Sequence, residues 1–143
     1  MTAHPEILGG VSRDEIEIIE RTVAAWNRGD IDGVLLLTGD DSEWMLAEEN
    51  PEARTLRGKD EIQAYLRDWR TTIPGLRYET TEYLDAGDAV VSLGTASGRV
   101  GADGPEMKVG LNLVVRFEDG VPVRIEEYLD ADRARAAAGL PVG

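Results

Sequence analysis

Glu127 is the residue whose type and spacing point most directly to chemistry. In the stretch 121–129 every second residue is apolar, as in a strand with one buried face, and Glu127 occupies one of these positions. The apolar members are Val121, Val123, Ile125 and Leu129. Burial disfavours the charged form of a carboxyl group, so Glu127 is a candidate acid/base with a raised pKa. The pattern also fits a carboxylate at a sheet edge, or one paired with an arginine for structural reasons.

Two tyrosines are candidate partners for such a carboxyl group. The first is Tyr78, near the start of the second half of the chain, and the second is Tyr65. Each is a candidate to donate a hydrogen bond to a developing oxyanion. Either residue serves only if its side chain reaches the same pocket as Glu127.

Small residues alternate along the stretch 89–100, at Gly94, Ala96 and Gly98. Small side chains on one face of a strand leave space, which a ligand would occupy. The same space also suits a packed tryptophan, and the chain has three: Trp26, Trp44 and Trp69. These large aromatic side chains are typical both of a protein core and of the walls of a small-molecule pocket.

Composition excludes several kinds of site. The chain has no cysteine, which rules out disulfides, thiolate nucleophiles and cysteine metal sites. His4 is the only histidine, and it lies in a segment predicted to be a disordered surface tail, so histidine triads and multi-histidine zinc sites are excluded. Because no cluster of ligands accompanies Glu127, we expect neither a metal ion nor a cofactor.

The charge balance excludes two kinds of partner. With 28 acidic and 15 basic residues the formal charge is −13, which disfavours binding to nucleic acid or to an anionic membrane surface. Residues 1–10 do not resemble a signal peptide, and no apolar run is long enough to span a bilayer. A cytoplasmic protein is the expectation.

Periodicity predicts helices first and strands second. Ser12 to Glu15 forms a capping box for a first helix, a short second helix follows Asp30, and Gly58 to Ile73 carries an apolar stripe that Pro74 ends. A strand is predicted from Ser42 to Ala47, and a final short helix over Arg133 to Ala138 would be capped by Asp130. Four further strand-like runs lie between short turns: Leu76–Asp85, Ala89–Val100, Glu106–Glu118 and Val121–Leu129.

This order of elements is typical of an α+β fold. We expect a curved, mixed and mainly antiparallel sheet of four or five strands, with three N-terminal helices covering its concave face to form a conical barrel. The predicted organisation is a flexible tail over 1–11 and a single domain over 12–143.

Several segments, in order and spacing, resemble the SnoaL-like/NTF2-like superfamily across about residues 12–140. They are VAAWNRGDIDG (23–33), DDSEW (40–44), LRGKDEI (56–62), FEDG (117–120) and IEEYLD (125–130). The resemblance implies a homodimer joined through the outer face of the sheet, and a cavity at the concave face. The cavity residues that it implies are Val23, Trp26, Trp44, Leu46, Trp69, Ile73, Tyr78, Val109, Leu111, Glu127 and Leu129; the small residues Gly94 and Ala96 are added to this set.

The known chemistries of the superfamily can be tested position by position. Where ketosteroid isomerases carry a tyrosine and a general-base aspartate, this chain has Thr22 and Leu46. Where limonene-type epoxide hydrolases carry their arginine and aspartate, it has Gly94 and Ala96, and their water-holding tyrosine and asparagine fall at Trp44 and Leu46; only their last-strand aspartate persists in kind, as Glu127. Polyketide cyclases are the least excluded class, because the resemblance implies for them little catalytic machinery beyond a carboxylate acid/base in the cavity.

Three functions therefore stand open from the sequence. The first is a cofactor-independent, cyclase- or isomerase-like enzyme that acts on a small apolar or polyketide-like molecule through Glu127. The second is a non-catalytic protein that binds an apolar ligand. The third is a dimeric scaffold whose interior is filled by its own tryptophans.

Overall fold

The computed structural model describes residues 6–8, 13–36, 38–101 and 103–142. Its helices are α1 (Arg13–Asn27), α2 (Ile31–Leu36), α3 (Gly58–Thr72) and α4 (Ala131–Ala137). Its strands are β1 (Glu6–Leu8), β2 (Glu43–Met45), β3 (Thr55–Arg57), β4 (Arg77–Asp85), β5 (Ala89–Arg99), β6 (Glu106–Gly110), β7 (Asn112–Glu118) and β8 (Val121–Tyr128). The interpretations of His4 and of the Ser12 cap fall outside the described residues. None of the described helices is both long and apolar enough to cross a membrane.

All the described strands belong to one sheet. Their order is β1-β4-β5-β7-β8-β2-β3, and β6 also pairs with β5. Two pairings, β1 with β4 and β2 with β8, are parallel, and the others are antiparallel. The predicted α+β class and mixed, mainly antiparallel sheet are confirmed. The sheet is larger than predicted because β1 and β3 have three residues each, too few for an alternating pattern to be read.

One predicted strand is two strands. The run Glu106–Glu118 breaks at Leu111, between β6 and β7. There the Leu111 backbone N–H donates to the Gly94 carbonyl (3.0 Å), while the Gly94 N–H donates to the side-chain oxygen of Asn112 (3.3 Å). The side-chain amide of Asn112 thus replaces a backbone partner in the hydrogen-bond ladder. As a result, β5 pairs with β6 along one part of its length and with β7 along another.

The concave face of the sheet is covered by α1, α2 and α3. Apolar residues of the three helices join residues of β5, β7 and β8 in one buried core: Ile16, Ile19, Val34, Ile62, Leu66, Val90, Val115 and Ile125 are among them. The end of α1 is tied to the sheet by Asn27, whose side-chain amide exchanges two hydrogen bonds with the backbone of Tyr78 (2.8 and 2.9 Å).

The final helix covers the opposite face. Asp130 caps α4 by accepting a hydrogen bond from the Asp132 N–H (2.8 Å), as the sequence predicts. Ala134 of α4 packs in a second cluster with Val91 and Val114, which are cross-strand partners. Because their neighbours Val90 and Val115 belong to the concave core, this second cluster lies on the outer face.

Part of the predicted N-terminal tail is a strand. Glu6–Leu8 forms β1 and pairs in parallel with Glu82–Leu84 of β4. This corrects the prediction of a flexible tail over 1–11 for these three residues. The physical reason is that β4 would otherwise present a row of unpaired backbone groups at the sheet edge, which a short strand satisfies.

Candidate functional site

A largely apolar cavity of about 310 Å³ lies between the concave face of the sheet and the helices. All three tryptophans of the chain line it: Trp26 from α1, Trp44 from β2 and Trp69 from α3. Aromatic walls of this kind suit an apolar organic ligand.

Most of the residues predicted for the cavity come together there. The ones that line it are Val23, Trp26, Trp44, Trp69, Tyr78, Ala96, Val109, Leu111, Glu127 and Leu129. Their strands place them side by side: Tyr78, Ala96 and Val109 are register partners across β4, β5 and β6. That these residues bind a ligand stays a prediction.

Three predicted cavity residues lie elsewhere. Leu46 directly follows β2 and is buried in the core with Trp44, and Ala47 is the neighbouring residue that lines the cavity. Ile73 follows the end of α3 and packs with Leu76 and Tyr78 rather than lining the cavity. Gly94 makes no space for a ligand, because a Cβ there would lie 2.5 Å from the Tyr78 hydroxyl oxygen. Similarly, a Cβ on Gly98 would lie 2.6 Å from a methyl carbon of Ile73.

Glu127 projects from β8 into the concave side of the sheet. Its side chain is a cross-strand neighbour of Leu113, which also lines the cavity, and only 7% of the residue is exposed. The indole N–H of Trp44 donates to Oε2 (2.9 Å), and the backbone N–H of Ala47 donates to Oε1 (3.4 Å). Among the described residues no lysine or arginine pairs with this carboxyl group. Burial therefore outweighs the two hydrogen bonds and raises the pKa of Glu127 to about 7.

Glu126 has the opposite environment. It faces the outer side and is also buried, but it accepts hydrogen bonds from Arg116 (3.1 Å), Arg124 (2.8 Å) and the Tyr128 hydroxyl (3.0 Å). Burial alone would raise the pKa of Glu126, but these donors outweigh it and lower the pKa. This buried cluster was not predicted, although the spacing of Arg124, Glu126 and Tyr128 along the strand places all three on its outward face.

The two candidate tyrosines differ in what their hydroxyl groups contact. Tyr78 donates to the Leu111 carbonyl (3.0 Å) and lies 2.9 Å from the Ser92 hydroxyl, so its proton is used within the fold. Tyr65 also lines the cavity; its hydroxyl accepts from Asn50 (3.2 Å), and no described residue accepts its proton. Burial raises the pKa of both phenols, that of Tyr78 to about 12, and the charge of Glu127 contributes to both shifts. Tyr65 is the phenol whose proton remains available to a ligand.

Arg70 supports the aromatic wall and was not anticipated from the sequence. Its guanidinium lies 4.2 Å from the centre of the Trp26 ring. It donates to the carbonyls of Trp26, Pro74 (2.7 Å) and Leu76 (3.2 Å). These contacts hold the ends of α1 and α3 against the loop that leads into β4.

The described residues include no group of three or more histidine, cysteine, aspartate or glutamate side chains that could hold a metal ion. Polar side chains are a minority of the described residues that line the cavity, and among them the buried carboxyl group of Glu127 has a pKa raised to about 7. The arrangement is suited to moving a proton to or from an organic molecule.

Together these features define an α+β fold whose concave face and helices surround an apolar cavity with the buried carboxyl group of Glu127 in its wall. Residues 19–128 match the model of the SnoaL-like domain, and the chain belongs to this family, within the NTF2-like superfamily. No functionally curated protein that was compared with the chain matches it.

Solved structures share the fold along most of their length. An NTF2-like protein of unknown function from Burkholderia pseudomallei K96243 is 25% identical, with a TM-score of 0.74 over 87% of this chain and 97% of that one. TerC, co-crystallised with polyporic acid, is also 25% identical, with a TM-score of 0.72 over 88% and 98% of the two chains. An NTF2-like protein from Burkholderia xenovorans LB400 is 26% identical, with a TM-score of 0.67 over 91% and 98%.

Proposed function

We propose that the cavity binds a small, largely apolar organic molecule and that Glu127 acts on it as a general acid and base, in isomerase- or cyclase-type chemistry without a cofactor. The observation that carries the proposal is the environment of Glu127: a buried carboxyl group among apolar walls, with two neutral N–H donors and no cationic partner among the described residues. A pKa of about 7 leaves both protonation states populated at neutral pH, which is the condition under which one group can accept and return a proton.

The proposed step is proton transfer at a carbon next to a carbonyl group. Ionised Glu127 removes the proton, the C–H bonding electrons move into an enolate, and the new O–H bond forms on the carboxyl group. Tyr65 donates a hydrogen bond to the enolate oxygen, because its proton has no acceptor among the described residues. If the enolate is conjugated with a C=C bond, protonated Glu127 returns the proton to the far carbon of that system, which completes an isomerisation. If the enolate carbon instead adds to a second carbonyl group, a C–C bond closes the ring and protonated Glu127 gives its proton to the resulting alkoxide.

The comparison with TerC supports a small organic molecule as the occupant. TerC was co-crystallised with polyporic acid and shares the fold over 88% of this chain. Polyporic acid is therefore a reasonable first ligand for this protein, and binding can be followed by fluorescence because every tryptophan lines the cavity.

A general-base probe tests the proposal without knowledge of the natural substrate. The base-promoted elimination of 5-nitrobenzisoxazole is accelerated by a single carboxylate in an apolar site, so the protein should speed it up, with a rate that rises with pH around 7. Glu127→Gln should lower the rate by about 10² or more. Glu126→Gln is the matched control: the same substitution one residue away, on the outer face. Equal rates for the wild type and Glu127→Gln would reject the acid/base role.

Non-catalytic binding is the second candidate. It is favoured by the residues at the catalytic positions of known relatives, where this chain has Trp44, Leu46, Gly94 and Ala96. It predicts that polyporic acid quenches tryptophan fluorescence equally in the wild type and Glu127→Gln, with no elimination activity in either. A cavity of about 310 Å³ argues against the third candidate function, a scaffold whose interior is filled by the tryptophans themselves.

A cytoplasmic location and a homodimer joined through the outer face of the sheet remain proposals. Sedimentation velocity tests whether the protein is a dimer.

A further inference from the structure

Both hydrogen-bond donors to Glu127 come from one short segment. Trp44 is the central residue of β2, and Ala47 follows it by three positions, in the loop that leads toward β3. Strand β2 pairs in parallel with β8, and Trp44 is the register partner of Ile125, two residues before Glu127. This pairing brings the indole N–H to 2.9 Å from Oε2 although the two residues are 83 positions apart in the chain.

The indole of Trp44 is a donor without an accepting lone pair, so it can bond only to a lone pair of the carboxyl group. A carboxylate accepts such a bond more strongly than a neutral acid does, because hydrogen bonds to charged acceptors are the stronger kind. The Trp44 residue is only 9% exposed, so little water competes for either atom. The bond therefore opposes the effect of burial, which favours the neutral acid.

The other titratable groups near Glu127 do not replace this effect. The Tyr65 and Tyr78 phenols face the main cavity from α3 and β4, and both remain neutral near pH 7. Glu49 and Arg77 also line the main cavity, and neither is bonded to Glu127. A second pocket that borders Glu127 is lined by Glu48, Glu49, Arg54 and Arg133. Arg133 pairs with Glu48 (2.7 Å) and Glu49 (3.8 Å), and not with Glu127.

We propose that Trp44 is the positioning residue of the site: its indole N–H holds the Glu127 carboxyl group in one orientation and stabilises the ionised form. This inference rests on the proposed role of Glu127. Trp44 then has two roles: it forms part of the cavity wall, and its N–H keeps Glu127 able to act as a base. Without this N–H, the carboxyl group of Glu127 stays protonated to higher pH.

The direct test is NMR titration of the indole N–H signals. The chain has three tryptophans, so three signals are expected, and the Trp44 signal should shift with the same midpoint as the Glu127 side-chain carboxyl carbon. Its shift should vanish in Glu127→Gln. A Trp44 signal that is constant from pH 5 to 9 while the carboxyl group of Glu127 titrates would overturn the proposal.

Substitution provides the second test. Trp44→Phe removes the donor and should raise the pKa of Glu127 by about one unit or more. Trp69→Phe is the matched control, since it removes the same volume from the cavity wall but no hydrogen-bond donor to Glu127, and the Glu127 pKa should change little. If both variants shift the pKa equally, the effect comes from cavity size and the positioning role is rejected. Failure of the proposed function would look different: the pKa shifts would persist while Glu127→Gln retained full elimination activity.

Discussion

Glu126 and Glu127 are consecutive residues of β8 whose carboxyl groups lie on opposite faces of the sheet in opposite electrostatic environments. Glu126 is bonded to two arginines and a tyrosine, and its pKa is lowered. Glu127 has only an indole and a backbone N–H, and its pKa is raised to about 7. The pleat of one strand thus separates a structural carboxylate from a candidate acid/base.

The stability of the protein should depend on pH through Glu127. The folded state holds this proton up to about pH 7, whereas an ordinary glutamate releases it near 4.5, so ionisation above pH 4.5 progressively destabilises the fold. Relative to the wild type, Glu127→Gln should therefore gain roughly 3 kcal/mol in unfolding free energy as pH rises from 4.5 to 7, with no further gain above. Urea unfolding of both proteins at several pH values measures this difference. If the unfolding free energies of the two proteins change in parallel with pH, the carboxyl group of Glu127 is solvated.

Removing the carboxyl group of Glu126 should have the opposite pH dependence. Glu126→Ala removes the carboxylate shared by Arg116 and Arg124, although Arg124 keeps its ion pair with Glu43 (2.9 Å). We expect a loss of about 2 kcal/mol at pH 7, less than for a fully buried pair, because both arginines are partly exposed. Because the pKa of Glu126 is lowered in the folded state, its stabilisation is present above the unfolded pKa and is lost as pH falls through the folded pKa. The difference between variant and wild type should shrink at pH 3. A constant difference would show that packing, and not charge, is lost.

The two tyrosines should give distinct phenotypes. Tyr65→Phe removes a proton that is free for a ligand and should lower the elimination rate by up to about 10² with a small effect on stability. Tyr78→Phe removes the bond to the Leu111 carbonyl and should lower the unfolding free energy by about 1–3 kcal/mol. Its effect on the elimination rate should be the smaller of the two. If Tyr78→Phe lowers the elimination rate more than Tyr65→Phe does, Tyr78 is the residue that donates a hydrogen bond to the ligand.

Space in the cavity can be tested at two neighbouring small residues of β5. Ala96 lines the cavity, so Ala96→Leu should weaken binding of polyporic acid at least tenfold while the protein stays folded. Gly94→Ala should instead destabilise the fold by about 1–3 kcal/mol, since its Cβ would lie 2.5 Å from both the Glu79 carbonyl oxygen and the Tyr78 hydroxyl oxygen. Fluorescence titration and circular dichroism separate the two effects. Unchanged binding in Ala96→Leu would place the ligand outside this cavity.

Local patterns in the sequence were enough for the class of fold and for the inward position of Glu127. Alternation along 121–129 depends only on the two-residue period of a strand, and the change from helical to strand period depends only on neighbouring residues. The cap at Asp130 is equally local, since it joins residues two positions apart.

Only the tertiary structure decided what surrounds each group. The break at Leu111, the occupation of the space beside Gly94 by Tyr78, and the burial of Glu126 under two arginines all depend on contacts between different strands. The same holds for the bond between Trp44 and Glu127, which joins β2 to β8 across 83 residues. A sequence pattern reports which face a residue occupies, whereas hydrogen-bond partners and pKa values depend on which other elements pack against that face.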